Sequence, residues 1–121
     1  MDVLALYSRA LDAWLDRVRA LADHQLGEPT PCSEWDVRAL INHVVGEDRW
    51  VTPLVEGRTI AEVGDTLDGD LLGGDPRGAA EQAVKGAVAA FAQPGARDRT
   101  VHLSFGDFPA EEYAWQLVAD H

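Results

Sequence analysis

From Leu4 the apolar side chains recur at Tyr7, Leu11, Trp14, Val18 and Leu21, in steps of three and four residues that set them on one face of a helix. The spacing predicts a helix over 2–23. Asp12, Asp16, Arg17 and Arg19 fall largely on the other faces. A helix with a single apolar stripe owes its stability to packing, so this one must lie against further helices, with the stripe as the seam of a bundle.

The remainder of the chain supplies the partners. Gly27, Pro29 and Pro31 end the first helix, and Ser33 followed three residues later by Asp36 resembles a capping box, which predicts a second helix from near Glu34. That helix carries Val37, Leu40, Ile41, Val44, Val45, Val51, Leu54 and Val55 within one arc, and Gly57 closes it. Residues 58–75 are rich in Gly and Asp without helical period, so they read as a long acidic surface connection, interrupted at most by short helical turns. Asp75 then offers an N-cap and Pro76 a first-turn proline to a third helix. Its inner face is small, built on Ala79, Ala80, Ala83, Val84, Ala87, Val88 and Phe91, and it ends near Gln93-Pro94-Gly95. Thr100 to Phe105 alternates, with Val101, Leu103 and Phe105 on one side and Thr100, His102 and Ser104 on the other, and predicts an extended segment or hairpin turning at Gly106-Asp107. Pro109-Ala110-Glu111-Glu112 opens a last helix on which Tyr113, Leu117 and Asp120 share a face. The expectation is one all-α domain over 1–121, a four-helix bundle.

Composition narrows the function. With 10 Lys+Arg against 21 Asp+Glu the net charge is −11, which leaves nothing to displace the counterions of a phosphate backbone, so nucleic acid and anionic membrane are poor partners. No apolar run reaches membrane-span length and Met1-Asp2 does not open a signal peptide, so a cytoplasmic location is expected. The single cysteine, Cys32, excludes an internal disulfide and a thiolate zinc cluster; any metal must rest on His and carboxylate. The Asp-rich connection fails as a calcium loop, because a frame begun at Asp68 puts Leu72 at the fifth position and Ala79 where the bidentate Glu belongs. No phosphate-binding Gly loop or nucleophile elbow occurs.

Among the groups able to do chemistry, His43 stands with Leu40, Glu47, Trp50 and Leu54 on a stripe bordering the apolar arc of the second helix. It is a core histidine bonded to neighbouring backbone, or a ligand. Glu47, one turn on, is an exposed helix glutamate or the partner that orients the ring. Asp120 is a carboxylate on the apolar face of the last helix, or a solvated chain end. His24 and His102 read as surface residues, Cys32 as a packing residue ahead of a helix, and His121 sits about 100° around the helix from Asp120.

The run PTPCSEWDVRALINHVVGE from Pro29 to Glu47 resembles the signature of the mycothiol-dependent maleylpyruvate isomerase family, within the DinB-like metal-binding four-helix proteins. The segments Leu103 to Pro109, Glu112-Tyr113 and Asp120-His121 also resemble its actinobacterial branch. The resemblance implies a DinB-like bundle with the long acidic loop between helices two and three and the extended segment before helix four. It also implies a divalent ion, zinc or nickel, with His43 and Asp120 as ligands approaching across the bundle, and mycothiol as thiol co-substrate. On that basis Glu47 is the expected orienter or base, and Trp35 and Trp50 the walls for an electrophilic substrate. The activity would be isomerisation or S-transfer, with a small-molecule thiol and electrophile as partners. The family's remaining histidine ligand would fall at position 124, which suggests a domain shortened at its C-terminus. The competing readings are a non-catalytic metal-binding or protein-interaction bundle, and an inactive fragment.

Overall fold

The computed structural model describes residues 2–31 and 35–120, with the side chain of Asp120 left out. Asp2 begins the first helix, α1 (Val3–Ala20), by accepting the Ala5 N–H at 3.2 Å. The buried stripe of α1 is Val3, Tyr7, Leu11, Leu15 and Val18. Trp14 and Leu21, expected in the stripe, are only partly buried at its edge. The helix stops at Ala20 rather than continuing to 23. Leu21 is already extended, its carbonyl is taken by the Arg77 guanidinium, and the Gln25 side chain accepts the Ala22 N–H at 2.8 Å as a 3-10 turn forms over Asp23–Gly27.

The second helix, α2 (Val37–Val55), begins later than the capping-box pattern suggests. Asp36 is itself the N-cap, its carboxylate accepting the Ala39 N–H at 2.8 Å. Asp36 itself is extended and bridged to Pro29, with the Val37 N–H bonded to the Glu28 carbonyl. Ser33 and Cys32 lie outside the described residues. Gly57, at φ 94, provides the left-handed turn that ends the helical segment, as expected. The acidic connection contains one short helix, α3 (Ile60–Val63), started by a reciprocal cap between Thr59 and Glu62. It lies mostly on the surface but buries Val63 and Leu72.

Helix α4 (Pro76–Ala92) starts where expected, with Asp75 accepting the Gly78 N–H at 3.0 Å. A Cβ at Gly78 would meet that carboxylate in its present position, so a larger residue there would make the Asp75 side chain shift. Ala80, Ala83, Val84, Ala87 and Ala90 form its buried side, and α2 and α1 both pack against it. Strands β1 (Thr100–Leu103) and β2 (Gly106–Pro109) make an antiparallel hairpin with Val101 opposite Phe108 and His102 opposite Asp107. The turn is therefore Ser104-Phe105, not Gly106-Asp107, and Phe105 is 69% exposed instead of facing inward with Val101. Gly106, at φ 145, accepts the backbone shape that the tight reversal demands. Helix α5 (Ala110–Asp120) follows directly, with Glu111 and Glu112 in its first turn, and packs on α1.

The fold is mainly helical, as expected, with one small sheet. Residues of α1, α2, α4, α5 and the hairpin share one core, and no described helix is long and apolar enough to cross a membrane. Within this core lies a carboxylate. Asp48 is fully buried and accepts the Tyr7 hydroxyl proton at 2.8 Å. Burial, and then the Asp48 charge, push the Tyr7 hydroxyl far above its ordinary pKa, so it remains a donor at all working pH. Tyr7 also meets the edge of Phe91, at a centroid distance of 5.6 Å. Removing only the hydroxyl, by Tyr7→Phe, should lower stability by about 1.5–3 kcal/mol, the range for hydrogen bonds to charged groups, as read from urea denaturation midpoints at unchanged slope.

Candidate functional site

Helical spacing turns His43, Glu47, Trp50 and Leu54 of α2 toward one side, adjacent to the core face that holds Ile41, Val45 and Asp48. That side faces a cavity of about 530 Å³. Tyr113, Gln116 and Leu117 of α5 form the opposing wall. The connection contributes Leu67, Asp68, Gly69 and Leu71, while Ile60 and the hairpin residues Leu103 and Phe105 stand at the edge.

His43 and Glu47 form a pair. The imidazole Nε2 lies 2.6 Å from Glu47 Oε1, one turn along the same helix, with the His43 side chain 47% and the Glu47 side chain 22% exposed. A carboxylate so placed requires the ring proton on Nε2 and sets the ring's rotation, which directs the lone pair of neutral imidazole to Nδ1. Trp35 packs against the ring, its centroid at 4.8 Å and tilted by 37°. His43 is thus not a buried core residue but a half-exposed imidazole held, among the described residues, by an acid and an indole.

The connection is ordered by α2. Asn42 donates through Nδ2 to the Gly69 carbonyl at 2.9 Å and accepts the Leu71 N–H at 2.7 Å. Arg38 bonds the Asp70 carboxylate at 3.2 Å and the Gly73 carbonyl at 2.9 Å. The Leu72 N–H, followed by the Gly73 N–H and the Arg38 charge, holds the Asp70 carboxyl below its ordinary pKa. Sequence reading overlooked these clamps because each depends on which stretch of a distant segment lies beside α2. Asp48 was more legible, since it falls inside the apolar arc at helical steps from Ile41, Val44 and Val51.

A family assignment follows the same elements. The sequence profile of the family described as mycothiol maleylpyruvate isomerase N-terminal domain matches residues 7–121. The chain belongs to this family. Two uncharacterized proteins, from two strains of Mycobacterium tuberculosis, are each 35% identical to it over 136 aligned positions, covering 98% of this chain and 67% of the relative. No solved structure matches the chain.

Of the residues that resemblance to the family singled out, the structure brings His43, Glu47 and Trp50 to the cavity and sets Trp35 against His43. Asp120 is the last residue of α5, past Tyr113 and Leu117 at helical steps; its side chain, and all of His121, lie outside the described residues. Among the described residues no three His, Cys, Asp or Glu side chains cluster closely enough to hold an ion. His24 is exposed, in the 3-10 turn rather than at the end of α1, and His102 bonds Asp107 across the hairpin at 2.9 Å.

The clamp has a pH signature. A carboxyl whose folded pKa is depressed contributes stability that is present above its unfolded pKa and lost as pH falls through the folded value. Protection of the Leu72 and Gly73 amides from hydrogen exchange should therefore persist through the ordinary carboxylate range and decline only below it. Asp70→Ala should remove it at neutral pH, and Asn42→Ala should speed Leu71 exchange by roughly tenfold, the equivalent of one hydrogen bond.

Proposed function

We propose that this chain is the divalent-metal-binding domain of a mycothiol-dependent enzyme, an isomerase or thiol S-transferase, and that its long helices form a DinB-like four-helix bundle. The supporting observation is the cavity between α2 and α5, with the acid-held imidazole of His43 on one wall and, on the other, the face of α5 that continues toward Asp120.

The donor chemistry fits such an ion. Imidazole nitrogen and carboxylate oxygen are ligands that zinc and nickel accept, and His43 and Asp120 would hold it. When bound, a divalent ion stabilises a thiol as its thiolate, the nucleophilic form. The chain's own residues do the rest. Glu47 fixes the rotation and proton of the His43 ring, as partners of metal-binding histidines do, and is placed to take a proton at Oε1 once that contact is exchanged. Trp35 packs on one side of the imidazole. Trp50 and Tyr113 wall the space beside these groups, and the Asn42-held connection closes another side. The thiol co-substrate, mycothiol, and the electrophile would meet here.

Calorimetric titration with zinc and with nickel tests this reading. His43→Ala should weaken binding by at least ~10–100-fold, the range typical for losing only a residue that supports a ligand, and Glu47→Ala should fall within that range. Turnover of an electrophile should require mycothiol and be lost in His43→Ala. Equal metal affinity in the wild type and His43→Ala, with no thiol-dependent turnover, would leave a non-catalytic helical domain.

A further inference from the structure

The His43 ring is held at two places, with different effects. Glu47 meets it at Nε2, 2.6 Å away. Nε2 lies close to the axis of the Cβ–Cγ bond, and rotation about that bond is broad for histidine. A hydrogen bond there leaves the ring a residual swing, in which Nδ1, bonded to Cγ and further from the axis, moves further than Nε2. A group against the face of the ring limits that swing, because the plane cannot turn without meeting it. Trp35 supplies such a group, its ring centroid 4.8 Å from that of His43 and its plane tilted by 37°.

The backbone on either side of Trp35 keeps the indole in place. Its carbonyl accepts the Thr30 hydroxyl proton at 2.8 Å, Asp36 is bridged to Pro29 and caps α2, and the Val37 N–H reaches the Glu28 carbonyl at 2.9 Å. Residue 35 is thereby tied both to 28–30 and to the first turn of α2, the helix that carries His43 about two turns on. Trp35 is 36% exposed, and it is absent from the described side chains that form the core or pack against it. The resemblance-based expectation made Trp35 and Trp50 walls of the substrate space, but only Trp50 of the two lines the cavity.

We propose that Trp35 is a positioning residue: it fixes the plane of the His43 ring, as Glu47 fixes its proton, so that Nδ1 keeps one direction and need not be ordered when an ion binds. The proposal rests on reading His43 as a metal ligand. Ordering a side chain in advance removes an entropic cost from binding, so losing the indole appears as weaker affinity. The contact is made by a flat ring, and apolar bulk of another shape does not replace it.

Zinc calorimetry, together with NMR of the metal-free full chain at about pH 8, where an ordinary imidazole is neutral, tests this. Long-range nitrogen–proton correlations should show wild-type His43 as a single tautomer with its hydrogen on Nε2, its ring protons shifted by the indole ring current. Trp35→Ala should abolish that shift and weaken zinc by roughly tenfold, the lower end of the range for losing a group that supports a ligand. Trp35→Phe should stay within about threefold of wild type, whereas Trp35→Leu should resemble Trp35→Ala. Zinc affinity in Trp35→Ala equal to wild type, alongside a clear loss in His43→Ala, would overturn the proposal and leave the metal reading standing. Rescue by Leu as complete as by Phe, or urea midpoints lowered alike in Trp35→Ala and Trp35→Phe, would also overturn it, by making Trp35 a packing residue. Zinc bound by no variant, wild type included, with the ring-current shift and single tautomer present in wild type and lost in Trp35→Ala, would remove the metal reading and support the holding of the ring.

Discussion

The hydrogen bond from Tyr7 to the buried Asp48 ties α1 to α2 through the core. A carboxylate in an apolar interior is strongly unfavourable without a partner, so position 48 must face the tyrosine. Successive helical residues are about 100° apart, so turning Asp48 inward turns Glu47 away from the core and toward the cavity. His43, Trp50 and Leu54 share that direction. The site is therefore positioned from the core outward, by the buried apolar arc of α2 together with the Asp48–Tyr7 contact that lies within it.

The acidic connection shows a related principle. Its composition, rich in glycine and aspartate, provides little apolar area to hold it in place. It is ordered by the burial of Val63 and Leu72 together with hydrogen bonding to its backbone by Asn42, and by Asp70 with Arg38 behind it. Both Arg38 and Asn42 belong to the same helix as His43. One helix thus presents the imidazole, its orienting acid and the anchors of the segment that closes the cavity beside them.

Several elements were legible from local pattern. The cap of α4 at Asp75 and Pro76, the opening of α5 after Pro109, and the alanine face of α4 followed from residue chemistry acting over a single turn. The errors fell where two local signals competed. The capping-box pattern placed the start of α2 near Glu34, whereas Asp36, bridged to Pro29, caps it three residues later at Val37. Leu21 continues the stripe of α1, yet Arg77, far along the chain, binds its carbonyl where the helix ends. Alternation through Phe105 continued one residue too far, because cross-strand register decides where a hairpin turns. In the candidate site, His43, Glu47 and Trp50 were visible as a helical stripe, whereas Asn42 had no marker distinguishing it from a solvated polar residue.

The helical periods, most of the breaks between them, the acidic balance and the single cysteine could be read from residue type and short spacing alone. That Trp35 lies against the His43 ring, and that among the described residues the arginines lie off the cavity, came instead from the packing of segments separated in sequence. Those facts depend on which surfaces meet. A helical period states which residues share a face, but the partner that covers each face is chosen by burial and polar satisfaction summed over the whole chain.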